Sequence, residues 1–386
     1  MGRKSRKILF VTTVSSTIRA FLLPYADYFR RKGWEVHALS KEIENCRVCQ
    51  RSFDRVFEID WSRNPLELSN FFSLISRIRN IENTEKYDIV HVHTPVAAFL
   101  TRLALHKIRC QNGNYPKVFY TAHGFHFFRC RSFIENWFFL FLEKLAGSWT
   151  DYLIVINRED EETAKRFSMV PNSRIIWISG IGLDLKHFQP ETEFSLSETA
   201  SAEELNFEPG EKFFLSIGEL NFGKRHEDSI SAFSKLNSTD CKLFIIGEGA
   251  LRKRLEELRL EKNLTDKVKI LNYRNDIRPF LKNALALIIS SEREGLPRII
   301  MEAQALGTPV IGANVRGIKD LLDGGAGFLF PLGNVDALAG LIKRILCRPE
   351  SVENVKEKAF LRIHQYDVSK MVEYHEVLYK KALGEP

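Results

Sequence analysis

The sequence predicts an α/β protein made of two doubly wound parallel sheets in tandem, and three observations lead there. Short β-branched runs alternate with amphipathic, helix-length segments over residues 7–179. A glycine-bearing connector at 180–184 leads into residues 191–210, which are rich in Glu, Ser and Thr and poor in large apolar groups. The alternation then starts again at 213 and continues to 312. At 386 residues the chain has room for two to three domains, from roughly 150 residues per domain. With 44% hydrophobic and 27% charged residues it is globular rather than disordered.

In the first half, strands are expected at 7–13, 34–40, 88–93, 118–123, 152–157 and 175–179. A helix is expected at 18–32, closed by Gly33. In the second half, strands are expected at 213–217, 242–246, 268–271, 285–290 and 309–312. Helices are expected at 227–236, 250–261, 276–284 and 296–306. Helices at 337–346, 352–363 and 368–383 fill the tail, with Asp367 a suitable N-cap for the last. The division is 1–185, 186–366, and a terminal helical segment 367–386. Open parallel sheets bind ligands beyond the carboxyl ends of their strands, so two such domains face to face are expected to form an inter-domain cleft.

The basic residues Arg3, Lys4, Arg6 and Lys7 precede an apolar run and imitate a secretion signal. Thr12, Thr13, Ser15, Ser16 and Arg19 interrupt that run, so a buried first strand and a cytoplasmic protein are expected. The longest apolar blocks, 137–142 and 284–289, have six residues each, too few to span a bilayer. Six cysteines are too sparse for a disulfide framework. Cys46 and Cys49 form one CxxC without a second pair, and zinc needs about four ligands.

The net charge of +7 is uneven. Residues 1–185 carry 27 Lys and Arg against 19 Asp and Glu, while 186–386 carry 29 against 30. The first half is therefore suited to an anionic partner: a phospholipid surface, a phosphate-bearing substrate or a nucleic acid. With no helix-turn-helix, RNP or zinc-finger pattern, nucleic acid is not expected. The block 137–142 sits in a helical pattern that is apolar nearly all round. It reads as a buried helix or as a lipid-facing one beside a basic domain.

Three segments carry chemistry. Residues 290–302 read SSEREGLPRIIME. A strand ends, a short loop follows, and Pro297 suits the first helical position. The helix start directs free N–H groups outward, with Glu294 at its mouth and Glu302 two turns in. Carboxylates beside an anion site suit sugar hydroxyls; a solvated helix face is the plain reading of Glu302. Residues 216–226 read SIGELNFGKRH. A strand ends at Gly218, and the loop brings Lys224 and Arg225 to the next helix start, where cations oppose the dipole unless an anion is bound; a surface Lys–Arg pair is the plain reading. Residues 120–126 read YTAHGFH and place His123 at a strand's carboxyl edge, able to donate to a phosphate or hydroxyl or to move a proton. His126 follows one step further into the loop. His91 and His93 alternate along the strand 88–93, at least one of them facing the sheet edge, and core packing is the plain reading of both. Gly247 opens a strand-to-helix turn, and the loop 272–276, with Tyr273 and Arg274, is able to cradle a base. No GxGxxG opens either domain, and no P-loop or Gly-x-Ser-x-Gly elbow occurs.

Together these segments resemble the retaining glycosyltransferases of family four, which have the GT-B fold of two Rossmann-like domains. The wording at His93-Thr-Pro, 120–127, Gly218-Glu-Leu-Asn and 273–277 is similar to bacterial exopolysaccharide and capsule glycosyltransferases. The resemblance implies a nucleotide-sugar donor, UDP-linked and carrying a hexose or N-acetylhexosamine, in the second domain. It implies retention of configuration, no metal and no other cofactor, and a terminal helix crossing back to the first domain. Glu294 and Glu302 match the Glu-x7-Glu donor signature, in which Glu302 holds ribose hydroxyls and Glu294 the donor sugar. Lys224 falls where the family places a diphosphate-binding Lys, with Arg225 beside it. Gly218, Gly247, Tyr273, Arg274, Gly295, Leu296 and Pro297 complete the donor side. His123 resembles the acceptor-domain His, with Ser15, Ser16, His93 and His126 near the acceptor. There are two departures: Glu219 stands where many members carry Arg, and the loop 13–17 lacks the usual glycine pair. The sequence has no DxD for a divalent ion, which agrees with charge neutralisation by Lys224 and a helix start. The acceptor is expected to be a lipid-linked saccharide met at the cytosolic membrane face, where the first domain's charge favours anionic lipid. Rival readings are a sugar-nucleotide epimerase and a non-catalytic nucleotide-sugar-binding subunit.

Overall fold

The computed structural model describes residues 5–61, 71–125, 132–189, 211–236 and 241–385. The chain divides into two compact units, residues 1–182 with 368–386, and residues 183–367. The segment 191–210 and His126 lie outside the described residues.

The first unit runs β1 (Lys7–Val14), α1 (Ser15–Phe21), α2 (Leu23–Arg31), β2 (Glu35–Lys41), α3 (Arg47–Ser52), β3 (Arg55–Glu58), α4 (Phe71–Glu85), β4 (Ile89–His93), α5 (Pro95–Gln111), β5 (Lys117–Ala122), α6 (Phe133–Gly147), β6 (Tyr152–Val155), α7 (Arg158–Arg166) and β7 (Ile175–Trp177). Its strands form one parallel sheet in the order β3-β2-β1-β4-β5-β6-β7. All five residues of β4 are buried, because a parallel sheet is covered on both faces. Where one helix was expected at 18–32, two form. Pro24 occupies an opening position of α2, where its missing N–H is harmless, and the chain breaks at Leu22. Cys46 and Cys49 are joined to each other at the start of α3.

The second unit continues with β8 (Lys212–Ile217), α8 (His226–Phe233), β9 (Cys241–Ile246), α9 (Arg252–Glu261), β10 (Val268–Leu271), α10 (Arg278–Asn283), β11 (Ala286–Ile289), α11 (Arg298–Ala305), β12 (Val310–Ala313), α12 (Ile318–Leu322), β13 (Phe328–Phe330), α13 (Val335–Cys347) and α14 (Glu353–Ile363). The parallel order is β10-β9-β8-β11-β12-β13. Strand order reverses between β8 and β11, so the loops after those two strands part and leave a crevice at their carboxyl ends.

The last helix, α15 (Val368–Ala382), belongs to the first unit. Its Tyr379 is fully buried, with the hydroxyl bonded to His91 Nδ1. The Tyr28 hydroxyl donates to Glu376. His375 lies flat over His91 with ring centroids 5.6 Å apart, and meets the edge of Tyr25 at 5.1 Å.

The helix α6 overturns its buried reading. Only Ala146 and Gly147 are buried within it, while Phe133, Ile134, Trp137, Phe138, Phe141 and Leu145 are exposed.

Candidate active site

The loops leaving β8 and β11 are stitched together before any ligand is considered. Asn221 Oδ1 accepts from the Lys224 amide at 3.1 Å, closing a tight turn over Phe222–Lys224. The Ser290 hydroxyl, just past β11, lies 3.1 Å from the Lys224 carbonyl and 2.7 Å from that of Arg225. The Glu292 amide donates to the Gly223 carbonyl at 2.9 Å. These bonds hold Lys224 and Glu294, seventy residues apart, as an ion pair of 2.6 Å between Nζ and Oε1. A cation and a carboxylate therefore stand together at the switch point of the sheet.

Arg225 is differently employed. It adopts the left-handed conformation at φ 51° and closes a fork on Asp228, at 2.8 and 3.0 Å. Its guanidinium is committed to its own helix.

Glycine is required where the crevice walls approach most closely. A Cβ at Gly247 would run into the carbonyl oxygen of Gly218. Gly317, at φ 76°, packs in the same way against the carbonyl of Gly295.

Pro297 is the N-cap of α11 rather than its first residue, and Glu302 sits one turn into the helix. Glu302 is buried, and Arg298 Nε donates to its Oε1 at 2.8 Å. Burial pushes the Glu302 carboxyl above its ordinary range, and Arg298 only partly opposes this. These two residues line a cavity of about 760 Å³ with Gly218, Glu219, Gly247, Glu248 and the loop 273–278. Ile217, Ile246 and Phe188 give it apolar surface, and Tyr273 is exposed beside it. Asp276 accepts a two-pronged bond from Arg278 at 2.8 and 2.7 Å, which holds its carboxyl below the usual range and fixes the loop. The side chain of Lys224 runs alongside Gly218; a Cβ there would lie 3.5 Å from Lys224 Cδ. Leu296 and Gly295 are half-buried in the loop before α11.

In the first unit, strand order reverses between β1 and β4. Their ends are tied by Thr13 and Thr94, whose hydroxyls are 2.7 Å apart. Ser15 and Ser16 open α1 immediately afterwards, Ser16 exposed. His93 ends β4 and His123 follows β5; His93 Nδ1 and His123 Nε2 are 3.1 Å apart. Burial lowers both, His123 to about 4, so both rings are neutral near pH 7. His93 Nε2 is buried without a partner. A buried orphan acceptor is less costly than a buried orphan N–H. His93 therefore carries its proton on Nδ1 and donates to His123, which keeps its own proton on Nδ1. His123 is half-buried and ends this chain as a hydrogen-bond donor.

The structure thus gathers Lys224, Glu294, Glu302, Gly218, Gly247, Tyr273 and Arg274 around one crevice of the second unit, and His93, His123, Ser15 and Ser16 at the carboxyl edge of the first sheet. Sequence reasoning missed Arg298, which is adjacent to Pro297 in a motif already singled out. It also missed His187 and Phe188, which reach the cavity from the connector. A trio of possible metal ligands, Glu35, His37 and Glu85, lies at the opposite, amino-terminal edge of the first sheet. Lys7 bridges both carboxylates, at 3.1 and 3.2 Å, and Arg55 joins Glu85, so its charges are already balanced.

Two parallel sheets of this strand order, each with its loops parted at a switch point, make the double Rossmann-like framework of the GT-B fold. Residues 7–157 match the model of the Glycosyl transferase 4-like family and residues 197–362 that of Glycosyl transferases group 1. EpsD of Bacillus subtilis, named as a glycosyltransferase, is 33% identical over 90% of this chain and 89% of its own. The UDP-Gal:alpha-D-GlcNAc-diphosphoundecaprenol alpha-1,3-galactosyltransferase of Escherichia coli is 29% identical over 77% of this chain and 75% of its own. Among solved structures, HepE of Anabaena in complex with UDP and glucose superposes with a TM-score of 0.78 at 17% identity, covering 97% of this chain and 100% of that one. The chain belongs to the bacterial GT-B glycosyltransferases of the family-four type. Among the described residues, no helix is long and apolar enough to cross a membrane.

Proposed function

We propose that this glycosyltransferase moves a hexose or N-acetylhexosamine from a UDP-sugar, with retention and without a metal, to a lipid-linked saccharide in cell-surface polysaccharide assembly. The observation that carries the proposal is the Lys224–Glu294 pair, whose lysine runs alongside Gly218 in the wall of a cavity lined by the buried Glu302. Glu302 accepts from the ribose hydroxyls, and the loop Tyr273 to Asp276 receives the base. The Lys224 ammonium offsets the charge that develops on the leaving diphosphate, the task a metal ion performs elsewhere. Arg298, which lines the cavity, supplies a second cation on the side where Glu219 brings none. Glu294 leaves its ion pair to hold the donor sugar once the diphosphate takes over the ammonium. His123 offers its Nδ1–H on the acceptor side. The Escherichia coli relative, named for UDP-galactose and a diphosphoundecaprenol acceptor, supports the donor and acceptor classes. CapM of Staphylococcus aureus, named for capsular polysaccharide biosynthesis and 25% identical over 89% of this chain, supports the polysaccharide setting. On this reading the enzyme works at the cytosolic membrane face, against anionic lipid, and meets no nucleic acid.

The test is nucleotide release from a panel of UDP-, GDP- and ADP-sugars, with and without EDTA, following the anomer of the freed sugar. One UDP-sugar hydrolysed with retention in EDTA, and lost in Glu294→Ala, is the expected result. Inversion, a requirement for divalent metal, or conversion of the free nucleotide-sugar into its epimer would overturn the proposal.

A further inference from the structure

We propose that the outward face of α6 is a lipid-insertion surface. Phe133, Ile134, Trp137, Phe138, Phe141 and Leu145 enter the interfacial layer of an anionic phospholipid bilayer, with the helix axis lying in the bilayer plane. The proposal rests on the lipid-linked acceptor argued above and names the surface that brings the enzyme to it.

At 100° per residue, these six side chains fall within one arc of about 140°. Phe133 is 83% exposed, Ile134 80% and Trp137 61%. The opposite face is anchored. Glu143 accepts from the Tyr120 hydroxyl at 2.9 Å and from Arg102 at 3.2 Å. Ala146 and Gly147 are buried, and the space a Cβ would need at Gly147 is filled by the Met169 carbonyl. The helix therefore cannot roll its apolar side inward: the same contacts that seat it hold its aromatic residues toward solvent. Soluble surfaces rarely carry so many neighbouring large apolar groups without a partner.

Charge decides which partner. The first unit carries 30 Lys and Arg against 21 Asp and Glu, a surplus of nine. A second copy carries the same surplus, so bringing two first units together sets like net charge against like. An anionic leaflet brings the opposite sign, and Lys144, exposed near the end of the helix, falls inside the same arc, where its long stem lets the ammonium reach out to a lipid phosphate. Trp, Phe and Leu on one face with a Lys able to extend its charge outward are side chains that partition into the interface. A helix of 15 residues is about 22 Å long and lies flat there without spanning.

Trp137 is a built-in reporter. Trp34, Trp61 and Trp149 are buried and Trp177 is half-buried, which leaves Trp137 as the exposed indole of the five in the chain. The full chain is mixed with phosphatidylglycerol–phosphatidylcholine vesicles. Co-sedimentation is expected, with a blue shift of tryptophan emission and quenching by chain-brominated lipid. The Trp137→Phe variant should sediment equally but lose the spectral change. Ile134→Glu with Phe141→Glu should lower the bound fraction at least tenfold while leaving UDP affinity unchanged, which shows that the fold is intact. Raising salt should weaken binding. Equal sedimentation of the double variant would overturn the proposal, as would absence of binding. A dimer whose Trp137 is already blue-shifted and shielded from acrylamide without lipid would assign the face to a second copy instead. Vesicle binding that persists while the donor is hydrolysed with inversion, or converted into its epimer, would leave this surface standing and the proposed reaction fallen.

Discussion

Replacing Glu302 by Gln should move stability and ligand affinity in opposite directions. The carboxylate is buried, and its pKa is raised because burial outweighs the nearby Arg298. The folded protein thus holds this proton to a higher pH than the unfolded chain does. Stability is then lost as pH rises from the unfolded pKa, near 4.5, through the raised folded value. At pH 7.5 the charged form is a cost that Gln removes. Against this stands the loss of an i,i+4 ion pair with a partly exposed Arg298, about 0.3–0.5 kcal/mol. The unliganded variant should therefore melt at or above the wild-type temperature at pH 7.5, and the gap should close toward pH 4.5. UDP affinity moves the other way. A carboxylate accepts from two ribose hydroxyls, whereas an amide offers one oxygen and no charge. Losing one hydrogen bond to a charged group costs about 1.5–3 kcal/mol, or about 10- to 150-fold in Kd. Titration calorimetry with UDP and 2′-deoxy-UDP separates the causes: the wild type should discriminate between them, and Glu302→Gln should not. A variant that melts several degrees lower and loses affinity for both ligands equally would refute the reasoning, since Glu302 would then be a structural residue. Unchanged UDP binding would refute it too.

Gly247→Ala should lower stability by about 1–3 kcal/mol and weaken UDP binding, because the new methyl strikes the Gly218 carbonyl at the cavity wall. Gly340→Ala, inside α13 with open space around it, should instead raise stability by about 0.5–1 kcal/mol; denaturant melts of the two variants check both signs. Glu82 is buried with Oε2 unpaired and its pKa pushed up to about 8. Its folded pKa exceeds the unfolded one, so it withdraws stability as pH rises from about 4.5 to about 8. Glu82→Gln should be more stable than wild type at pH 8 and nearly equal at pH 4.5, in melts across that range. His93→Phe keeps a ring but removes the donor to His123. It should cut kcat by about 10- to 100-fold with little change in donor KM, whereas a KM effect alone would remove His93 from the positioning role.

The parallel strands were legible because sheets covered on both faces need continuous apolar runs, and β1, β5, β8 and β9 supply them. β3, with only Val56 and Phe57 as apolar residues, and β13, a three-residue Phe-Leu-Phe, are too short to signal themselves; their neighbours in the sheet define them. Of the candidate site, the residues set by strand–loop–helix punctuation were visible: Glu294, Glu302, Lys224, Gly218 and His123. What joins them was not. The Lys224–Glu294 pair and the His93–His123 bond cross seventy and thirty residues of sequence, and nothing local marks them. Nor does sequence show that Arg225 turns back on Asp228, because a left-handed residue at that position is imposed by the turn before it. The helix α6 marks a different limit. A helix that is apolar nearly all round carries no signal of which face is covered, and here that is decided by Glu143 reaching Tyr120 and Arg102.

The placement of α15 has a consequence for how the protein is made. Residue 6 is paired with residue 385, and Tyr379 plugs the space beside His91 and Phe29. Between the two parts of the first unit the ribosome must deliver the 185 residues of 183–367, which takes roughly 10–40 s at ordinary elongation rates. Through that interval the nascent first unit waits with its Tyr25, Phe29 and His91 seam uncovered, while the unit translated after it already has every strand and helix it needs. The order of completion therefore runs against the order of synthesis. Damage to residues 368–386, in a chain whose second unit is whole, therefore disables the first unit, whose strands were all made before the second unit was begun.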